Sequence, residues 1–171
     1  MERADMSGGS KRILIEPGAG KEVWLGGVGV VFKMYAEDTG GAFSVVEHPV
    51  KPGRLVPPHV HKDTDEFSYV LQGEIGAKIG DQEIRARRGS YLSKPRGIPH
   101  TFWNAGKEPA RLLELLSPPR FIHFFEEAAE LFPGGDGPPD LARLAALANK
   151  YGTTLIPDWI PTLEAKYKVK L

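Results

Sequence analysis

The spacing of four potential metal ligands constrains this chain more than any other feature. His59 and His61 are separated by one residue, Glu66 follows after four more, and His100 lies further along the chain. Because alternate side chains of a β-strand project from the same face, His59 and His61 would point together, about 7 Å apart. The polar, turn-prone segment 62–65 would let Glu66 return on an adjacent strand. Three imidazoles and one carboxylate suit a first-row divalent metal, so the pattern predicts a metal site.

The pattern between residues 11 and 119 is typical of an all-β barrel or sandwich. Short runs rich in β-branched and aromatic residues alternate with glycine and proline, as expected of short strands joined by turns. Gly80 and Asp81 lie between two such runs and favour a two-residue hairpin turn. The predicted strands cover residues 12–15, 28–35, 43–47, 66–71, 75–79, 83–85, 91–94, 101–103 and 110–116.

The chain divides into three parts. Residues 1–10 are small and polar and are expected to form a disordered leader, and residues 11–119 are expected to form the β-barrel. In residues 120–171 apolar side chains recur at helical spacing after Phe121, and a second helical stripe begins near Asp140. We expect both helices and the tail after them to pack on the barrel, with the tail able to add to a sheet edge.

Two patterns that each begin with a glycine contain the four ligands. The first comprises Gly53, His59, His61, Glu66 and Gly73, with intervals of five, one, four and six residues. The second comprises Gly89, Pro95, Gly97, His100 and Asn104, with intervals of five, one, two and three residues. In order and spacing these patterns resemble the two signature motifs of the cupin superfamily. Segments 39–43, 69–73 and 95–100 further resemble single-domain cupins grouped with quercetin 2,3-dioxygenases.

The resemblance implies a fold, a metal and a reaction. It implies a cupin-type antiparallel β-barrel, or jelly roll, here with a C-terminal α-helical extension. The barrel would hold one metal ion through His59, His61, Glu66 and His100. The implied function is a metal-dependent dioxygenase acting on an aromatic or enol-bearing small molecule similar to a flavonol, with Glu66 as both ligand and general base. The metal stays open among iron, manganese, nickel, copper and zinc.

Strand alternation places further candidates near the ligands. Ser68 and Val70 would share a face with Glu66, and Phe102 would share a face with His100. These three residues are candidates for the substrate pocket, and packing of the barrel interior is the alternative.

Three other polar residues have less specific interpretations. Asp65 lies next to a ligand and could orient one of the histidines through a hydrogen bond. His48 and His123 lie outside both motifs. We interpret both as structural residues.

Two other functions stay open at this point. A non-redox cupin isomerase, epimerase or lyase would need a polar pocket with an additional lysine or arginine near the ligands. The faces that strand alternation assigns show little such polarity. A non-catalytic cupin that binds a small ligand is the other alternative.

Charge and cysteine content narrow the possible partners and surroundings. Lys plus Arg balances Asp plus Glu at 22 each, so we expect no nucleic-acid partner. The chain has no cysteine and no long apolar run, which favours a cytoplasmic protein without disulfides or membrane attachment. We expect a homodimer because the predicted fold leaves a sheet face and edge exposed.

Overall fold

The computed structural model describes residues 12–132, 134 and 137–171. The leader predicted for residues 1–10 lies outside this range. Within it, the chain forms two antiparallel sheets that face each other in a jelly-roll arrangement, with small helices after them. The predicted all-β fold with a C-terminal helical extension is confirmed.

The described residues form twelve strands and three α-helices. The strands are β1 Glu22–Leu25, β2 Val28–Met34, β3 Ser44–Val50, β4 Arg54–Leu55, β5 His59–His61, β6 Asp65–Gln72, β7 Glu74–Ile79, β8 Gln82–Arg87, β9 Tyr91–Lys94, β10 His100–Asn104, β11 Ala110–Ser117 and β12 Thr153–Leu155. The α-helices are α1 Ile122–Ala128, α2 Leu141–Lys150 and α3 Ile160–Tyr167. Short 3-10 helices lie at Ala36–Thr39, Pro119–Phe121, Ala129–Leu131 and Pro157–Trp159.

The two sheets enclose the hydrophobic core. In the first sheet the strand order is β1-β2-β3-β11-β6-β9. In the second it is β12-β5-β10-β7-β8, with β4 also paired to β10. Val70 and Leu112 of the first sheet pack with Ile75 and Phe102 of the second in one buried cluster. Burying a large apolar side chain contributes about 1.5–3 kcal/mol, so this layer holds the sheets together.

Most predicted strands are present, and their ends shift by a few residues. The hairpin turn at Gly80 and Asp81 is confirmed, because β7 ends one residue before it and β8 begins one residue after it. Gly80 has a positive φ of 55°, as such a turn requires.

The strand predicted at residues 12–15 is wrong. These residues pair with no strand, and the side chains of Ile13 and Leu14 are 98% and 71% exposed. The edge of the first sheet is instead β1, which pairs with β2. A β-branched residue lowers the cost of an extended backbone, but only a partner strand and burial stabilise it.

The two predicted helices form for local reasons. The Asp140 side chain accepts hydrogen bonds from the backbone N–H groups of Ala142 and Arg143, which caps the start of α2. Leu144 and Ala148 form the buried face of this helix.

No helix in the described ranges is long and apolar enough to cross a membrane.

The tail mostly forms α3, which packs on the second sheet through Leu163 and Tyr167, and only its last residues pair with a strand. Lys170 makes a single parallel bridge with Arg54, at the strand that pairs with β10. The expected addition to a sheet edge is thus limited to one residue pair. The domain limit between residues 119 and 120 and the homodimer both stay predictions.

Candidate metal centre

The four predicted ligands come together between the two sheets. His59 and His61 lie on β5, His100 lies on the neighbouring β10, and Glu66 lies on β6 of the opposite sheet. One potential ligand atom from each residue lies within 4.8 Å of the others. His61, Glu66 and His100 are buried, and His59 is half-buried. The result is a site of three histidines and one glutamate that is suited to a metal ion.

A sharp corner before β10 delivers His100 to the site. Gly97 has a positive φ of 76°, a conformation that glycine adopts without strain. Its N–H donates to the carbonyl oxygen of His61 at 2.7 Å, and the N–H of Ile98 donates to the carbonyl oxygen of Pro95 at 3.1 Å. The first bond ties the corner to β5 and the second closes the corner itself, so the backbone that precedes His100 is fixed to the strand that carries His61.

Each histidine is oriented through its Nδ1 atom. His59 Nδ1 lies 2.8 Å from the carbonyl oxygen of Pro57, and His100 Nδ1 lies 2.9 Å from that of Ile98. A carbonyl oxygen only accepts, so each of these Nδ1 atoms carries the hydrogen and each Nε2 keeps its lone pair. A metal ligand needs that lone pair.

His61 is oriented from the C-terminal part of the chain. Its Nδ1 atom lies 2.7 Å from the hydroxyl oxygen of Thr153 on β12. The expected role of Asp65 in orienting a ligand is wrong. The Asp65 carboxylate instead accepts hydrogen bonds from the backbone N–H and the guanidinium of Arg96.

The protonation states of the ligands favour a cation. Burial lowers the pKa of His59 well below its usual value, and the nearby His100 lowers it further. Burial also lowers the pKa of His100, although the nearby Glu66 carboxylate opposes this because it would stabilise the protonated ring. Burial disfavours the Glu66 carboxylate, but the charge of Lys94 and the bonds to the imidazoles hold its pKa well below its usual range. Neutral imidazoles and an ionised carboxylate are the states in which these groups bind metals.

Sequence reasoning missed a buried network behind the site. The Lys94 ammonium lies 2.8 Å from Glu66 Oε2 and also pairs with Glu114 Oε1. Ser68 donates a hydrogen bond to the same Glu114 oxygen at 3.1 Å. In the leucine-rich strand β11, alternate residues point inward, and Glu114 is at one of these inward positions. A glutamate at a position expected to be apolar was the feature of the sequence that could have indicated this network.

An apolar cavity opens onto the metal ligands. His59 and Glu66 contribute to its lining, together with three other polar residues, His48, Glu114 and Thr153. Its apolar wall includes Leu25, Val30, Phe102, Phe121, Phe124, Phe125 and Leu144. Such a cavity, with a few convergent polar groups, is typical of a small-molecule site.

The predicted pocket residues take different places. Phe102 lines the cavity. Ser68 is buried and bonded to Glu114, and Val70 is packed in the core between the sheets. A role for these two in a substrate pocket stays a prediction.

The C-terminal helical segment supplies part of the cavity wall. Phe121, directly before α1, places its ring edge-on to His61 with 4.3 Å between the ring centroids. Phe124 stacks on Phe121 at 4.9 Å, and Leu144 of α2 lines the same cavity. The helices therefore do more than cover the outside of the sheets, because they also enclose the space in front of the ligands.

Comparison with known proteins agrees with this fold and site. A family model described as the cupin domain matches residues 47–116, a range that contains all four ligands. The chain belongs to the cupin superfamily.

Solved structures resemble this cupin in fold alone. A predicted oxalate decarboxylase from Thermotoga maritima is 17% identical with a TM-score of 0.58, over 62% of this chain and 99% of that one. The cupin domain of Schizosaccharomyces pombe Cnp3 is 17% identical with a TM-score of 0.55, over 71% and 84% of the two chains.

Curated relatives of this cupin carry several different names. Tetracenomycin polyketide synthase protein TcmJ of Streptomyces glaucescens is 31% identical over 80 residues, or 47% of this chain and 52% of that protein. Quercetin 2,3-dioxygenase of Bacillus subtilis is 25% identical over 126 residues, or 74% and 37%. Germin-like protein 5-1 of Oryza sativa is 36% identical over 75 residues, or 40% and 33%. This cupin thus spans about half or less of the length of these relatives.

Proposed function

We propose that this cupin is a metal-dependent dioxygenase of an aromatic or enol-bearing small molecule, similar to a flavonol. The observation that carries the proposal is the apolar, phenylalanine-rich cavity that ends at His59 and Glu66. A flat aromatic molecule would bury its rings against this wall and present an oxygen to the metal centre. The likeness to a protein named quercetin 2,3-dioxygenase supports the same substrate class.

In this proposal the four ligands would bind the metal, and phenylalanines of the cavity wall would exclude water. His59, His61, His100 and Glu66 would hold one first-row metal, which when bound supplies Lewis-acid and redox chemistry toward a substrate oxygen and O₂. A dioxygenase incorporates both atoms of O₂ into the organic product, so the electron balance needs no external reductant. Phe121 and Phe124 would keep bulk water from the reacting oxygen.

Glu66 would also take the proton of the substrate hydroxyl. Lys94 holds the Oε2 atom of Glu66 at 2.8 Å, and the pKa of this carboxyl is well below its usual range because of that cation and the imidazoles. A carboxylate so strongly stabilised is a weak base. It becomes an effective base only when one of its present contacts loosens as the substrate binds.

The test is oxygen consumption with a flavonol panel. The protein is stripped of metal and loaded separately with iron, manganese, nickel, copper or zinc. We expect flavonol-dependent oxygen uptake with at least one of the first four metals and none with zinc. The double variant His59→Ala/His100→Ala should bind no metal and consume no oxygen, whereas the exposed His123→Ala should behave as wild type. The absence of uptake with every metal would contradict the proposal.

A non-redox isomerase, epimerase or lyase is the second candidate. Lys94 favours it, because it is an additional cation beside the ligands, although it pairs with Glu66 and Glu114 and does not line the cavity. The likeness to a protein named for tetracenomycin polyketide synthase also widens the substrate class to polyketides. Conversion of a ligand by the zinc-loaded protein without oxygen would select this candidate. Ligand binding without conversion under any condition would select the non-catalytic alternative.

A further inference from the structure

His48 and Glu114 form a polar pair in the wall of the otherwise apolar cavity. His48 lies on β3 and Glu114 on the adjacent β11, and both side chains line the cavity. His48 is 4% exposed and Glu114 is 2% exposed. Neither residue belongs to the cluster of metal ligands.

The hydrogen bonds of this pair leave two atoms without a partner. His48 Nδ1 lies 2.9 Å from the carbonyl oxygen of Gly29, so Nδ1 carries the hydrogen and Nε2 is an acceptor. Glu114 Oε1 is taken by Lys94 and Ser68. His48 Nε2 and Glu114 Oε2 are 3.6 Å apart, which is too long for a good hydrogen bond. Among the described residues no hydrogen bond engages either atom.

The gap between these two atoms fits one oxygen atom of a ligand. An oxygen placed to one side of the line between them can lie about 2.8 Å from both, the usual length of such bonds. A hydroxyl group at this point would donate to His48 Nε2 and accept from Glu114 Oε2, which carries a proton because burial raises the pKa of this carboxyl to about 8. In the described part of the chain no fully buried side-chain nitrogen or oxygen lacks a hydrogen-bond partner, so these two atoms are accessible from the cavity, where a ligand or water can engage them.

The pair lies away from the metal ligands along the first sheet. Glu66 on β6 is opposite Leu116 of β11, whereas His48 on β3 is opposite Leu112 of the same strand. His48 is therefore two strands and two inward-facing positions from Glu66. The polar atoms approach each other more closely than these backbone positions, because the Lys94 ammonium pairs with both Glu66 Oε2 and Glu114 Oε1. A ligand that reaches both points therefore has to pass only this shared ion pair.

Aromatic rings flank the path between the two points. The His48 ring lies 6.0 Å from that of Phe102 and 5.4 Å from that of Phe125, measured between centroids. Burial lowers the pKa of His48 to about 4, so the ring is neutral near pH 7 and its Nε2 accepts a hydrogen bond. The surroundings suit the far end of a flat aromatic molecule.

We propose that His48 Nε2 and Glu114 Oε2 bind a hydroxyl group of the substrate, remote from the oxygen that meets the metal centre. This inference rests on the proposed function and narrows its substrate class. The substrate is a flat aromatic compound that carries a second hydroxyl group, separate from the oxygen that meets the metal centre. His48 and Glu114 are then residues that determine specificity.

The test compares two ligands that differ only at the far end. Binding is measured by calorimetry to the zinc-loaded protein without oxygen, so that no oxidation occurs. 3-Hydroxyflavone offers only its enol and the adjacent carbonyl, and flavonols hydroxylated on the outer rings add a second oxygen point. We expect the best hydroxylated flavonol to bind wild type about 3–10-fold more tightly than 3-hydroxyflavone, the net effect of one hydrogen bond.

His48→Phe is the main variant, because it keeps a ring between Phe102 and Phe125 but removes both nitrogens. It should abolish the preference while leaving the affinity for 3-hydroxyflavone and the zinc content unchanged. His123→Phe is the matched control at an exposed histidine, and it should keep the preference. Glu114→Gln should keep most of the preference, because its amide N–H can replace the acid O–H as the donor.

The outcomes separate this inference from the proposed function. If wild type binds both ligands equally, or if His48→Phe keeps the preference, the second contact is wrong and the proposed function is untouched. If zinc-loaded wild type binds neither ligand, the flavonol-like substrate class is wrong and the second contact falls with it.

Discussion

The buried ammonium group of Lys94 lies between two carboxylates, those of Glu66 and Glu114. All three side chains are almost completely buried. Burial and the charge of Glu66 raise the pKa of Glu114, whereas Glu66 stays ionised and Lys94 stays charged. The group therefore resembles one ion pair beside a neutral acid. In the metal-free protein, Lys94 provides the positive charge that stabilises the buried Glu66 carboxylate.

Replacing Lys94 with methionine should destabilise the metal-free protein strongly. The change leaves Glu66 and Glu114 buried without a cation, and breaking a buried pair in this way costs about 3–5 kcal/mol. Urea denaturation of the metal-free variant measures this loss, and added zinc should recover part of it by restoring a positive charge beside Glu66. Lys150→Met is the control, because its ion pair with Glu127 is exposed and contributes about 0–1 kcal/mol. A loss for Lys94→Met as small as that of the control would contradict this account.

The sequence predicts the roles of some residues of the site but not of others. The four ligands were predictable because strand alternation and the motif spacing both place them together. His48, Lys94, Glu114 and Thr153 were not, since their roles depend on pairs distant in the chain. Thr153, for example, reaches a histidine 92 positions before it. Local patterns carry no information on such contacts.

The helices α1 and α2 illustrate the same limit for whole elements. Their existence follows from local features, the apolar spacing after Phe121 and the cap at Asp140. Their position follows from packing: Phe121 and Phe125 join a cluster with Phe32 and Leu116 of the first sheet. An amphipathic pattern predicts that a face is buried, but it does not specify against which surface. The enclosure of the cavity was therefore not predictable.

Enlarging the inner face of α2 should block the cavity. Ala148 is completely buried and lines the cavity, so Ala148→Leu would place extra carbon atoms in the space for a ligand. We expect at least about 10-fold weaker flavonol binding to the zinc-loaded protein, with unchanged zinc content. Overpacking should also lower the free energy of unfolding by about 1–3 kcal/mol.

The matched control for this change lies on the same helix. Ala146 is on the exposed face, so Ala146→Leu should leave both ligand binding and stability close to wild type. Calorimetry and urea denaturation of the two variants, side by side, check the prediction. Equal ligand affinity in both would show that α2 does not border the occupied space.

At the level of the whole molecule, the ligands connect the two sheets. Glu66 belongs to the first sheet, and the three histidines belong to the second. A metal ion bound to all four would therefore link the sheets across the core. Because such an ion binds only the folded state, it would also add to the free energy of unfolding by mass action.

Amide hydrogen exchange should show this connection. Loading wild type with zinc should slow exchange in β6 of the first sheet as well as in β5 and β10 of the second. Glu66→Gln keeps the shape of the side chain but weakens the fourth ligand, so zinc should then slow exchange in β5 and β10 only. Slowing confined to one sheet in wild type would mean that Glu66 does not bind the ion.

The hydrogen bond between His61 and Thr153 shows which parts of the chain the candidate metal centre depends on. The segment that the cupin family model matches, residues 47–116, contains every ligand but neither Thr153 nor Phe121. A domain limited to these residues would keep all four ligands but lose Thr153, which is hydrogen-bonded to His61, and Phe121, which packs against its ring. The C-terminal segment is thus a part of the candidate metal centre, and the motif strands alone would bring the four ligands together without the groups that contact His61.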